Sequence, residues 1–135
     1  MHLPEVALYL TYMGAQIGED LLSEITRRLV ERFNPEQIIL FGSHAWGAPS
    51  NGSDIDVMVI VSESDLSDYQ RALLGHRCLS GLGVAKDVIV RTRTEFDSLK
   101  AVPASLEYKV AHQGRLLYDR CQDATRARLA HQSTT

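Results

Sequence analysis

A chain of 135 residues with 44% hydrophobic content suits one folded domain with a single core, and a second folded domain is not expected. Lys plus Arg number 14 against 17 Asp plus Glu, a net charge of -3, so no overall positive field favours direct nucleic-acid binding. The apolar stretch Val6 to Met13 is too short to span a bilayer, and Cys78 and Cys121 belong to no short metal-ligand or redox spacing, so a soluble cytoplasmic protein without a membrane partner is expected.

In chain order, residues 1–18 form an N-terminal extension of no clear pattern, although Leu8, Tyr9, Leu10, Tyr12 and Met13 would make an awkward apolar surface if exposed. From Glu19 to Phe33 the residues Leu21, Leu22, Ile25, Leu29, Val30 and Phe33 recur every three or four positions, which predicts an amphipathic helix. Asn34-Pro35 breaks it, and Gln37 to Phe41 reads as a short buried strand ending at Gly42. Ser43 to Ser53, rich in glycine and small polar residues, reads as a loop with at most one helical turn. Asp54 to Val61 reads as a strand, Asp65 to Leu79 as a helix weakened by Gly75, and Val84 to Arg91 as a third strand. Beyond it Thr94 is placed to cap a short helix, Ser105 to His112 predicts another helix stopped by Gly114, and Arg115 to Tyr118 a final strand. The alternation predicts an α/β domain over residues 19–119 with helices packed on a central sheet. Residues 120–135 are a polar tail in which Ala124 to Ala130 has helical character.

Three carboxylates stand out. Side chains at i and i+2 of a strand share a face, so Asp54 and Asp56 project together while Ile55, Val57 and Val59 face the other way. Such a pair on an apolar strand repels and is costly to desolvate unless a cation neutralises it. Mg²⁺ suits the pair, since it takes one or two carboxylates and fills its other positions with water and phosphate oxygens. Asp87 repeats the anomaly among Val84, Ala85, Val88, Ile89 and Val90, where a buried strand would be apolar throughout. Three carboxylates on neighbouring strands suit a two-metal phosphoryl-transfer site, with Asp87 either a metal ligand or the base for an acceptor hydroxyl. Gly42-Ser43 lies where a strand gives way to a loop, a place where backbone N–H groups and a hydroxyl can meet an anion.

The run Gly42-Ser43-His44-Ala45-Trp46-Gly47, the pair Asp54-Ile55-Asp56 separated from Ser43 by ten residues, and the lone Asp87 on the next strand resemble the polymerase-beta-like nucleotidyltransferases. Within that family it resembles the minimal nucleotidyltransferases often encoded beside a HEPN-domain toxin partner, and the resemblance covers residues 19 to 119. The resemblance implies a nucleotidyltransferase fold, a small mixed sheet of about four strands with helices packed on it. It also implies that Gly42 and Ser43 contact nucleotide phosphates and that Asp54, Asp56 and Asp87 are catalytic and bind Mg²⁺. One position departs: family members commonly carry arginine where Trp46 stands. A tryptophan there could stack on a base, although a loop anchor is the simpler reading, and His44 or Lys86 could supply positive charge.

The function so implied is Mg²⁺-dependent transfer of AMP from ATP, the expected nucleoside triphosphate, to a hydroxyl. The chain has no space for a separate acceptor-binding domain, so the acceptor implied is a protein: a tyrosine of a HEPN ribonuclease toxin, neutralised by this antitoxin. A non-catalytic antitoxin that acts by occupation, or a transferase for a small molecule, are the alternatives. His76 and His112 read as surface or packing residues, and Arg126 and Arg128 as a solvated helix face.

Overall fold

A computed structural model of the chain describes residues 18–47, 54–84 and 86–125. In order these form α1 (Glu19–Phe33), β1 (Gln37–Phe41), α2 (Ser43–Trp46), β2 (Ile55–Val61), α3 (Asp68–Cys78), β3 (Lys86–Thr92), α4 (Arg93–Lys100), α5 (Leu106–Gln113) and β4 (Arg115–Asp119). The sheet order is β3-β2-β1-β4, with β1 antiparallel to both β2 and β4, and β2 parallel to β3. It is the mixed four-stranded sheet with packed helices that the motifs imply. The N-terminal extension, the loop residues 48–53 and the tail beyond 125, with Arg126 and Arg128, lie outside the described residues.

Strand alternation divides the core between the two faces of the sheet. Ile38, Leu40, Ile55, Val57, Val59, Val61, Val88 and Val90 pack with Leu22, Ile25 and Leu29 of α1 and with Leu79. Ile39, Phe41, Met58 and Ile60 meet Phe96 of α4 and Val110 of α5 on the other face. Every residue of β2 but Asp56 is buried, because β2 is internal to the sheet and covered on both faces.

Local signals set the ends of the helices. The α1 helix closes on Asn34, which adopts φ 45° and donates its N–H to the Val30 carbonyl at 2.9 Å. Ser67 and Gln70 form a capping box that starts α3 later than Asp65. The cap of α4 is Thr92, not Thr94: its hydroxyl accepts from the Glu95 N–H, and Glu95 in turn accepts from the Thr92 N–H. The pattern Thr-x-x-Glu carries that signal in the sequence. Ser105 caps α5 by accepting from the Tyr108 N–H. Residues 120–125 are helical.

One expectation needs correction. β3 is an edge strand, not a fully buried one, and its residues alternate between buried Val88 and Val90 and more exposed neighbours. Asp87 is therefore no intruder in an apolar strand but one member of the wetter face.

Polar contacts tie the end of the sheet opposite Gly42. Arg93 pairs with Glu36 at 2.9 Å and bonds Gln37, Gln37 bonds Asp119, and Ser62 bonds Glu36. Buried Arg71 pairs with Glu95 at 2.7 Å and donates to the Leu66 carbonyl, joining α3 to α4. Among the described residues no helix is long and apolar enough to cross a membrane.

Candidate active site

The register of the sheet brings the site together at one end. Phe41, the last residue of β1, is the partner of Asp56 on β2, and Asp56 is the partner of Asp87 on β3. All three fall on the α4 and α5 face, because their neighbours one residue along, Leu40, Val57 and Val88, belong to the core on the α1 side. Asp54 lies exposed one residue ahead of β2. Register thus sets Asp56 beside Asp87 across the two strands, whereas Asp54, expected as the first residue of the strand, precedes it and reaches Asp56 through its charge.

Asp56 occupies the middle. It is half-buried, and its carboxyl is held above the ordinary carboxylate value by desolvation first and then by the neighbouring charges of Asp87 and Asp54, with His44 opposing the rise. Asp87 is more open, and the Nε2 atom of His76 on α3 stands 4.0 Å from its carboxylate. His76, read from sequence as a surface or packing residue, is therefore a neighbour of the site, and no spacing rule in the sequence marks it as one. His112 stacks on Tyr108, as a packing residue would.

Gly42 is where the backbone approaches the carboxylates. It takes φ 77° and ψ -159°, a conformation open almost only to glycine, and a Cβ placed on it would fall on the Asp56 carboxylate. The chain leaves β1 through this turn and enters the single turn of α2 at Ser43, so Ser43 is set at the same end of the sheet as Asp56. Trp46 packs against the core on the α4 and α5 face, 6.0 Å from the Phe41 ring between centroids, as the anchor reading expects. Lys109 of α5 lies over the Trp46 ring, with Nζ 4.5 Å from its centroid. Nothing in the sequence links Lys109 to this end, since the contact spans the sheet and two helices.

The donor set is oxygen throughout and suits Mg²⁺. Among the described residues no group of three or more His, Cys, Asp or Glu side chains is gathered closely enough to hold a metal ion unaided. The carboxylates come as the pair Asp56 and Asp87, with Asp54 beside it. That fits an ion which takes one or two protein carboxylates and completes its shell with water and phosphate.

The family model for the polymerase beta nucleotidyltransferases matches residues 23–123. The chain belongs to this family. No curated protein matches it significantly. Among solved structures, this nucleotidyltransferase is similar to a toxin–antitoxin complex with AMP-PNP, at 25% identity and TM-score 0.56 over 84% of this chain and 88% of that one. A candidate nucleotidyltransferase from Sulfolobus solfataricus shares the fold at 24% identity and TM-score 0.54, over 75% of this chain and 79% of that one. A mutant of the toxin–antitoxin MntA-HpeT shares it at 23% identity and TM-score 0.52, over 84% and 88%.

Proposed function

We propose that the chain is a Mg²⁺-dependent nucleotidyltransferase that moves AMP from ATP to a tyrosine hydroxyl of a HEPN-domain toxin, and so acts as an antitoxin in the cytoplasm. The observation that carries the transfer chemistry is the row Asp56 and Asp87, in register on adjacent strands, with the bare backbone of Gly42 against Asp56. The AMP-PNP in the similar toxin–antitoxin structure supports a nucleotide and a toxin partner.

Asp54, Asp56 and Asp87 are the residues that would hold Mg²⁺. The ion supplies charge neutralisation on the phosphates and favours the attacking oxygen. Gly42 and Ser43 receive the phosphates, the glycine by allowing close backbone approach and the serine through its hydroxyl. The acceptor oxygen bonds to the α-phosphorus, the bond from that phosphorus to the bridging oxygen breaks, and its electron pair leaves on pyrophosphate. Asp87, the more exposed of the strand pair, takes the acceptor's proton.

The test is to incubate the protein with Mg²⁺, ATP and a HEPN-domain partner and to weigh the partner. A gain of whole AMP units is expected, and it should vanish with Asp54→Ala or Asp56→Ala. Neutralisation of the toxin without any mass gain would replace transfer by occupation as the mode of action.

A further inference from the structure

Lys109 is an exposed residue of α5 whose ammonium rests on an aromatic face. None of the ion pairs among the described residues uses it, whereas Lys100 of α4 is paired with Asp97 at 2.9 Å. The α5 helix ends against β1, the strand next to the one that carries Asp56. Its C-cap Gly114 packs against the Leu40 carbonyl and the Ile39 side chain, and β4 then begins at Arg115 opposite Leu40, one residue from Phe41. Val110, next to Lys109, belongs to the same core cluster as Phe41 and Trp46. Phe41 is in turn the register partner of Asp56. The ring therefore holds a cation on the face and at the end of the sheet where the carboxylates lie, without cancelling its charge against a carboxylate.

We propose that Lys109 binds the polyphosphate tail of the nucleoside triphosphate and carries the pyrophosphate as it leaves, with the Trp46 ring as its resting platform. This rests on the nucleotidyltransferase reading above. A lysine on a flexible four-carbon stem can leave an aromatic face for phosphate oxygens, because a charge-assisted hydrogen bond is the stronger contact. The bond from the α-phosphorus to the bridging oxygen places new negative charge on pyrophosphate as it breaks, and a cation at the tail favours that change. Lys109 holds charge and exchanges no proton in the step.

Binding of AMP-PNP, AMP and inorganic pyrophosphate, each with Mg²⁺, by wild type, Lys109→Gln, Lys109→Arg and Trp46→Leu separates the possibilities. Lys109→Gln is expected to weaken AMP-PNP and pyrophosphate about 10-fold or more while AMP changes less than about 2-fold. Lys109→Arg should restore most of the loss, and thermal melting of both should match wild type, since Lys109 is exposed. Trp46→Leu should weaken AMP-PNP by a smaller factor at equal AMP affinity. Equal losses for AMP and AMP-PNP, or none for either in Lys109→Gln, would overturn the role of Lys109 while leaving the transferase reading in place. Failure of wild type to bind any of the three would sink both.

Discussion

Gly42 and Asp56 constrain each other. A side chain at Gly42 would need a φ of 77°, in a region that costs a non-glycine residue about 1–3 kcal/mol, and its Cβ would also displace the Asp56 carboxylate. Gly42→Ala should therefore lower the melting temperature and reduce transfer more than the lost stability explains. Gly47→Ala is the control: its Cβ would meet Ser43 only at ordinary contact distances of 3.5 Å and beyond, so melting should hardly move. Asp56 itself costs the metal-free protein stability. Its carboxyl is raised in the folded state, so that cost is absent below the ordinary value of 3.8, appears as pH rises through it, and is complete above the raised value. Asp56→Asn should melt higher than wild type at neutral pH without Mg²⁺, match it in strong acid, and be inactive in transfer. Mg²⁺ should raise the melting temperature of wild type and leave that of the variant nearly unchanged. The i, i+2 spacing of Asp54 and Asp56 drew attention to them in the sequence, but β2 begins at Ile55, so strand geometry applies to Asp56 and not to Asp54. Lys109 and His76 were not legible there, because tertiary packing brings them to the site from helices far along the chain.

Helix α3 meets the sheet through Gly75, the residue that weakens its helical pattern. A Cβ there would come within 2.5 Å of the Val88 Cγ1 atom, so glycine is what lets α3 lie this close to β3. Gly75→Ala would gain about 1 kcal/mol of helix propensity, but overpacking costs about 1–3 kcal/mol, and a net loss is expected in chemical denaturation. Val88 adjoins Asp87, so the same variant should lose transfer activity even where it remains folded. Element boundaries were readable to within a few residues wherever a cap carries its own sequence signal, as with Asn34, Ser105 and Gly114. The start of α3 and the cap of α4 were misplaced because Ser67 and Thr92, rather than Asp65 and Thr94, close capping boxes with Gln70 and Glu95. The rank of β3 was misjudged for a different reason: hydrophobic content cannot tell an edge strand from a central one.

Across the whole molecule, stability should fall steeply in acid. Glu95, beside Arg71, and Glu36, bonded by Ser62 and Arg93, are both held below the ordinary value of 4.5. Their stabilisation is complete above 4.5 and is lost as pH drops through their lowered values, which a urea series between pH 7 and pH 3 would follow. Glu95→Gln should cost about 1 kcal/mol at pH 7, nearer the value of an exposed pair than of a buried one, because the Glu95 side chain is 39% exposed and Arg71 keeps the Leu66 carbonyl and Asp68. The variant should also show a shallower decline in acid than wild type. The α/β class followed from the alternation of patterns, whereas the strand order, with β4 beside β1 and β3 at an edge, had no local signal.

The strand that carries Asp56 serves both halves of the core, as β1 does: Ile55, Val57 and Val59 face one way, Met58 and Ile60 the other. Amides in such a position open to solvent only when the entire domain comes apart. In deuterium exchange the backbone of residues 56 to 60 should be among the last to label, at a rate set by global unfolding, whereas the exposed start of α3 at Asp68 and Tyr69 should label early. Catalytic turnover would then proceed on a carboxylate whose main chain stays fixed throughout, with adaptation to different acceptors left to the surrounding side chains.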